Sequence, residues 1–141
     1  MTWEYKGQVV DQLPDNCVGF VYLIENLTNG RKYIGKKLAF FSKTSYKTIK
    51  QKNGTKKKKR IKTKIESDWK DYYSSSDELK ADVEIFGKDS FRREILRICK
   101  DKNECNYWEA KYQFEYDVLL KDEWYNSWIM VRVRKSKSLL I

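Results

Sequence analysis

The sequence predicts a small α/β domain of the α+β kind, in which a mainly antiparallel sheet of about three strands is flanked by helices. Three observations carry that expectation. Within residues 19–37, two β-branched and aromatic runs flank Asn29-Gly30, a pair that tolerates the positive φ of a tight turn, so a hairpin is expected. A third strand-like run spans Phe91 to Cys99. Two further segments have helical spacing and open on capping-box pairs, Ser75 with Glu78 and Asp101 with Glu104.

At 141 residues, with 40% hydrophobic and 15% aromatic content, the chain can bury one core, so residues 1–141 are expected to form one domain. No apolar run approaches the roughly 20 residues of a membrane span, and the polar start is not that of a signal peptide. A soluble, cytoplasmic protein is expected. Histidine is absent, and Cys17, Cys99 and Cys105 lack a metal-binding spacing. These facts argue against a zinc site and against any triad that needs histidine, leaving Tyr, Lys, Asp and Glu for acid-base chemistry.

The first 18 residues alternate loosely through Trp3, Tyr5 and Val9 before a turn at Leu13-Pro14-Asp15-Asn16, which suggests an extra strand or arm. In the hairpin, the turn absorbs part of the odd spacing between Tyr22 and Tyr33, so both phenols can share a face. After an apolar patch at Leu38–Phe41 the composition changes. Residues 43–64 hold eleven of the 30 basic residues and no acid, which leaves nineteen basic against twenty acidic residues elsewhere. Such density predicts a mobile basic insert. A solvated loop is the plain reading, but localisation of the charge favours nucleic-acid contact through Lys43, Lys56, Lys57, Lys58, Lys59 and Arg60. That contact would be sequence-independent and salt-sensitive.

Leu79, Val83 and Phe86 then predict a helix over 76–86, stopped by Gly87. In the strand that follows, Ile95, Leu96 and Ile98 are candidate core residues. A second helix is expected from about 102 to 120, with Cys105, Trp108, Tyr112, Tyr116 and Leu119 on one stripe. Glu109 falls on the same stripe. A carboxylate there must be paired with a cation, bound to a metal or set at the wet edge. The aromatic segment from Asp122 to Lys135 suggests a last strand or an extended basic tail.

Taken together, these residues resemble the GIY-YIG nuclease family. Val21-Tyr22 and Tyr33-Ile34-Gly35 correspond to its two name motifs, and further landmarks follow in order. They are Ser75-Ser76 and Leu79, Gly87 before Phe91, Arg93-Glu94-Ile95-Leu96, Glu109, and Tyr125-Asn126. The resemblance spans about residues 19–129 and implies a GIY-YIG-like fold and divalent-metal-dependent hydrolysis of duplex DNA. One Mg²⁺ or Mn²⁺ per site would be held by Glu109, and water activation would fall to Tyr22 or Tyr33. Lys36 and Lys37 are placed in sequence to stabilise a phenolate, and Asn126 matches a late family Asn near the metal or a tyrosine. The family's usual Arg, followed four residues on by His or Tyr, has no counterpart. Gly35-Lys36-Lys37 and Tyr73-Ser74-Ser75-Ser76 look more like a branch that reads Gly-Lys-His, among free-standing phage-type or homing-like nucleases. Lys36 is then the expected phosphate-stabilising cation, with Arg60 or Lys43 as substitutes. Without the later landmarks, the two tyrosines would read as a cross-strand aromatic pair. The competing function is a catalytically weak or inactive nucleic-acid-binding module on the same fold, and a third is an RNA-binding protein. Double-strand cutting would need a dimer or two sequential events.

Overall fold

The computed structural model describes residues 2–140. Seven strands and two α-helices follow one another as β1 (Trp3–Tyr5), β2 (Gln8–Val10), β3 (Gly19–Asn26), β4 (Lys32–Leu38), β5 (Phe40–Lys50), β6 (Lys56–Glu66), α1 (Asp77–Phe86), β7 (Phe91–Cys99) and α2 (Lys102–Glu115). Five strands form a sheet in the order β2-β1-β7-β3-β4, and β5 pairs only with β6. Among the described residues no helix is long and apolar enough to cross a membrane.

The expected three-stranded antiparallel sheet is present as β7-β3-β4, but the whole sheet is five-stranded and mixed, because β1 lies parallel to β7. Trp3 accounts for that addition: it is buried, and its indole N–H donates to the Trp69 carbonyl at 2.7 Å. A two-residue turn, Lys6-Gly7, with both residues at positive φ, folds β2 back on β1.

The β3–β4 connection is wider than a tight Asn-Gly turn. Residues 27–31 form it, Gly30 takes the positive φ, and the Asn26 side chain accepts from the Thr28 N–H. Alternation then divides β3 between two cores. Phe20, Tyr22 and Ile24 join Trp3, Trp69, Leu79, Val83, Phe91 and Ile95 on the α1 side, whereas Val21 joins Ile34, Cys99, Cys105, Val118 and Trp124 on the α2 side. A bulge in the β3–β7 ladder between Val21 and Tyr22 leaves Leu96 unopposed and raises the local twist beside Tyr22.

Both helices are shorter than the sequence pattern suggests. Ser76, not Ser75, caps α1, accepting the Leu79 N–H through its hydroxyl. Helix α2 opens on Asp101 as expected and stops at Glu115 rather than near Leu120. Asp117 takes a positive φ, Val118 N–H returns to the Gln113 carbonyl and Asp117 N–H to that of Phe114, which is a Schellman ending. Tyr116 and Leu119 are therefore exposed rather than part of a buried stripe. Beyond α2 the chain passes through turns, and one parallel bridge from Trp124 to Lys32 stands in place of a last strand among the described residues.

The largest departure is at residues 43–64, where a paired ribbon replaces the expected mobile loop. From Phe40↔Glu66 to Lys50↔Lys56 the β5–β6 register is unbroken, closed by a turn with Gly54 at positive φ. Ser, Thr, Tyr and Ile are interspersed with the lysines along β5 and the second half of β6, so β propensity and backbone pairing offset repulsion between side chains that point into water.

Candidate active site

The candidate residues gather along the outer edge of β4. One side of that strand pairs with β3; the other belongs to the sheet edge, where backbone groups need partners from elsewhere. At Lys32 the chain around Trp124 supplies them, since Lys32 N–H donates to Glu123 and Tyr125 N–H donates to Lys32. At Ile34 the Asn126 side chain accepts the N–H at 3.1 Å and donates to the carbonyl at 2.8 Å, and Gln113 donates to the same carbonyl at 2.9 Å. At Lys36 the backbone N–H lies near enough to the Glu109 carboxylate to help hold its pKa down.

Tyr22 lies opposite Gly35 and Ile24 opposite Tyr33, which puts both phenols on the α1 face of the sheet. Their rings are 6.1 Å apart and tilted by 31°. Gly35 makes that approach possible: a Cβ there would lie 2.5 Å from the Tyr22 hydroxyl and 2.7 Å from Tyr33 Cε1. The aromatic pair and the motif geometry are thus one arrangement.

Tyr72 completes the aromatic group. Its ring meets Tyr22 edge-on at 5.9 Å, and its nearby hydroxyl helps hold the Tyr22 pKa up. Buried Arg93 holds the segment that carries Tyr72 by donating to the carbonyls of Lys70 and Tyr72 at 2.9 and 3.0 Å. Tyr33 is half-buried, and its hydroxyl lies 3.3 Å from that of Ser75, which is free to face it because Ser76 caps the helix. Tyr33 and Ser75 line one side of a cleft of about 410 Å³, with Asn126 and Trp128 on the other.

Burial pushes the Tyr22 phenol well above its ordinary pKa and also raises that of Tyr33, with the Glu109 charge adding to both. The lysines do not counter this as expected. Lys37 pairs with Asp68 at 2.6 Å, which draws the Asp68 carboxyl down, and its ammonium sits 4.0 Å from the Tyr72 ring centre. Lys36 alternates to the α2 side, where its ammonium bonds Asn106.

Helix α2 turns Cys105, Ala110 and Gln113 inward and leaves Glu109 half-buried at its flank. Of the three placements open to that acid, the structure gives the edge position beside Lys36. Burial raises the Glu109 pKa, while the charge and the backbone N–H of Lys36 pull it down. Among the described residues no three Asp, Glu, Cys or His side chains converge. A single carboxylate at a half-open edge suits a hard divalent cation that keeps most of its waters and takes other oxygens from a phosphate. One turn further on, the buried Gln113 Oε1 has no hydrogen-bond partner among the described residues, so a further oxygen acceptor is present.

Asn126 does not reach a phenol; it fixes the backbone of the residue after Tyr33. Lys43, Lys56, Lys57, Lys58, Lys59 and Arg60 are exposed on the ribbon, and among the described residues none bonds to the edge cluster. Sequence reading missed Tyr72, Asn106 and Gln113. The Tyr72-Tyr73 doublet and the spacing of Gln113 one helical turn from Glu109 were the available signals.

The chain matches the family model described as "endonuclease segE, GIY-YIG domain" over residues 3–129. No curated protein and no solved structure matches it.

Proposed function

The chain belongs to the GIY-YIG endonuclease family, and from that premise we propose that it hydrolyses phosphodiester bonds of duplex DNA with one Mg²⁺ or Mn²⁺ per site. Glu109 would hold the metal, which when bound supplies charge stabilisation at the phosphate. Tyr33 is the stronger candidate to orient and deprotonate water, because it faces the cleft while Tyr22 is closed off beneath it. Tyr22 and Tyr72 then set the position of Tyr33. Lys36, beside Glu109, is the cation that meets the scissile phosphate, with Lys37 in support on the tyrosine side. That assignment fits a Gly-Lys-His-like branch in which Lys37 occupies the His position. Lysine is a point charge without the guanidinium fork, so its support is less directional than arginine's. Asn126 positions Tyr33 through Ile34, and the ribbon grips phosphates. Residues 1–141 act as one nuclease domain of the phage or homing type, and a dimer would let it cut both strands.

The observation that carries this reading is the convergence on one strand edge of a cleft-facing phenol, a lysine and a lone carboxylate. Supercoiled plasmid incubated with Mg²⁺ or Mn²⁺ tests it, beside Glu109→Ala and Tyr33→Phe. Metal-dependent nicking or linearisation lost in both variants is expected. Cleavage that survives Glu109→Ala overturns the metal assignment, and binding without cleavage favours a non-catalytic module.

A further inference from the structure

The β5–β6 ribbon has two chemically different faces. Alternation and register place Thr44, Tyr46, Thr48 and Lys50 on one face, opposite Lys62, Arg60, Lys58 and Lys56. Lys64 shares it, with its ammonium 4.0 Å from the Phe40 ring centre. The other face carries Phe41, Ile49, Ile61 and Ile65 among Lys43, Lys47, Lys57 and Lys59, with the smaller hydroxyls of Ser45 and Thr63 between them. On the first face, every side chain between Thr44 and Lys62 is exposed, and each cation is set across from a hydroxyl or another cation.

A uniformly basic grip needs no such sorting, since phosphates accept any cation. Hydroxyls and a guanidinium side by side are instead the groups that donate to and accept from base edges. Arginine meets the N7 and O6 of guanine, and Ser or Thr can serve either base type. A two-stranded ribbon fits the major groove, which is about 12 Å wide in B-form DNA. Eleven residues per strand extend about 35 Å, roughly one helical turn. The ribbon is also anchored: Ala39, buried between β4 and β5, donates to Val18 and accepts from Ser67, whose hydroxyl donates to the Leu38 carbonyl.

We propose that the Thr44-Tyr46-Thr48 and Lys58-Arg60-Lys62 face of the ribbon enters the major groove of duplex DNA and reads base edges, giving this chain a sequence preference to one side of its cut. The inference builds on the nuclease reading, and it replaces the sequence-independent grip expected from charge alone. Arg60, at the centre of the exposed length and opposite Tyr46, is the principal reader. The narrow major groove of A-form RNA does not admit the ribbon, so the partner is DNA.

The test is selection of bound duplexes from a randomised pool by the wild-type chain in EDTA, which separates it from cleavage. If the nuclease reading fails, plasmid stays intact while selection still reports on the ribbon. An enriched motif is expected. Arg60→Gln should lower preference for one base pair in it by about 10-fold. Replacing guanine by 7-deazaguanine in the selected duplex should weaken wild-type binding, because it removes the N7 acceptor without changing charge. Lys47→Gln, on the other face, should weaken all sequences alike. The proposal is overturned by a pool that returns no motif, by a motif that Arg60→Gln leaves intact, by indifference to 7-deazaguanine, or by equal binding of duplex RNA at matched salt.

Discussion

The β3–β4 hairpin is packed between α1 and α2 and carries Tyr22, Tyr33 and Lys36, whereas the β5–β6 hairpin begins two residues after it and is exposed along most of its length. In the first, neighbours constrain each residue closely: Gly35 has no room for a methyl group and both backbone groups of Ile34 have side-chain partners. In the second, the cross-strand register does most of the fixing. Substitutions in the packed hairpin should therefore disturb chemistry and folding together. Those in the exposed one should alter binding alone.

The largest expected effect lies in the packed hairpin. Tyr33→Phe should lower the cleavage rate by about 10²–10⁴-fold, the usual worth of a positioned general base. Because burial raises the Tyr33 pKa, the phenol is protonated at neutral pH and the reactive phenolate grows as pH rises. Wild-type log rate should climb with near-unit slope from neutral pH upward without a plateau below about pH 10, the ordinary phenol value, and Tyr33→Phe should lose that slope. A flat wild-type profile would sink the base assignment.

A pair of glycines sharpens the contrast further. Gly35→Ala should cost roughly 1–3 kcal/mol by overpacking against Tyr22 and Tyr33, with cleavage lost alongside. Gly54→Ala, at the open ribbon turn, strains only a positive φ, roughly 1–2 kcal/mol within the ribbon. Calorimetry should show the main transition falling for the first and unchanged for the second.

Asn126→Ala should destabilise by about 1–3 kcal/mol, read from the denaturant midpoint, because the buried Ile34 N–H loses its acceptor. Retained stability with reduced cleavage would instead give Asn126 a direct part in the chemistry. The smallest effect is that of Lys47→Gln, on the face turned away from the bases, which should leave stability unaltered and make the slope of log binding constant against log salt shallower by about 0.9. Any loss of thermal stability there would erase the distinction between the hairpins.

How much of this was legible in the sequence follows the same division. The β-branched and aromatic runs and the Asp101 cap reflect local chemistry, so β3, β4, β7 and the start of α2 could be read directly, whereas α1 begins one residue later than expected because Ser76 rather than Ser75 caps it. The partner of β1 could not, because Trp3 pairs in parallel with a strand some ninety positions away and burial against Trp69 decides it. The ribbon was hidden by its own charge: the lysines that imply disorder mask the alternation of Thr, Tyr and Ile beneath them. At the site, Tyr33 and Glu109 were visible as sequence features. That Lys36 and Lys37 point to opposite faces, and that Tyr72 abuts Tyr22, depends on tertiary packing.

With the ribbon in the groove as proposed, the fastened joint at Ala39 would make the chain a molecular ruler. A strand advances about 3.3 Å per residue and duplex DNA about 3.4 Å per base pair, so ribbon residues and base pairs step nearly in unison. Adding two residues to each of β5 and β6, which keeps the same side chains on the same face, would move the ribbon tip outward by about two base pairs while the edge of β4 stays where it is. The length of the ribbon would then set how far from the cut the chain makes its outermost contact.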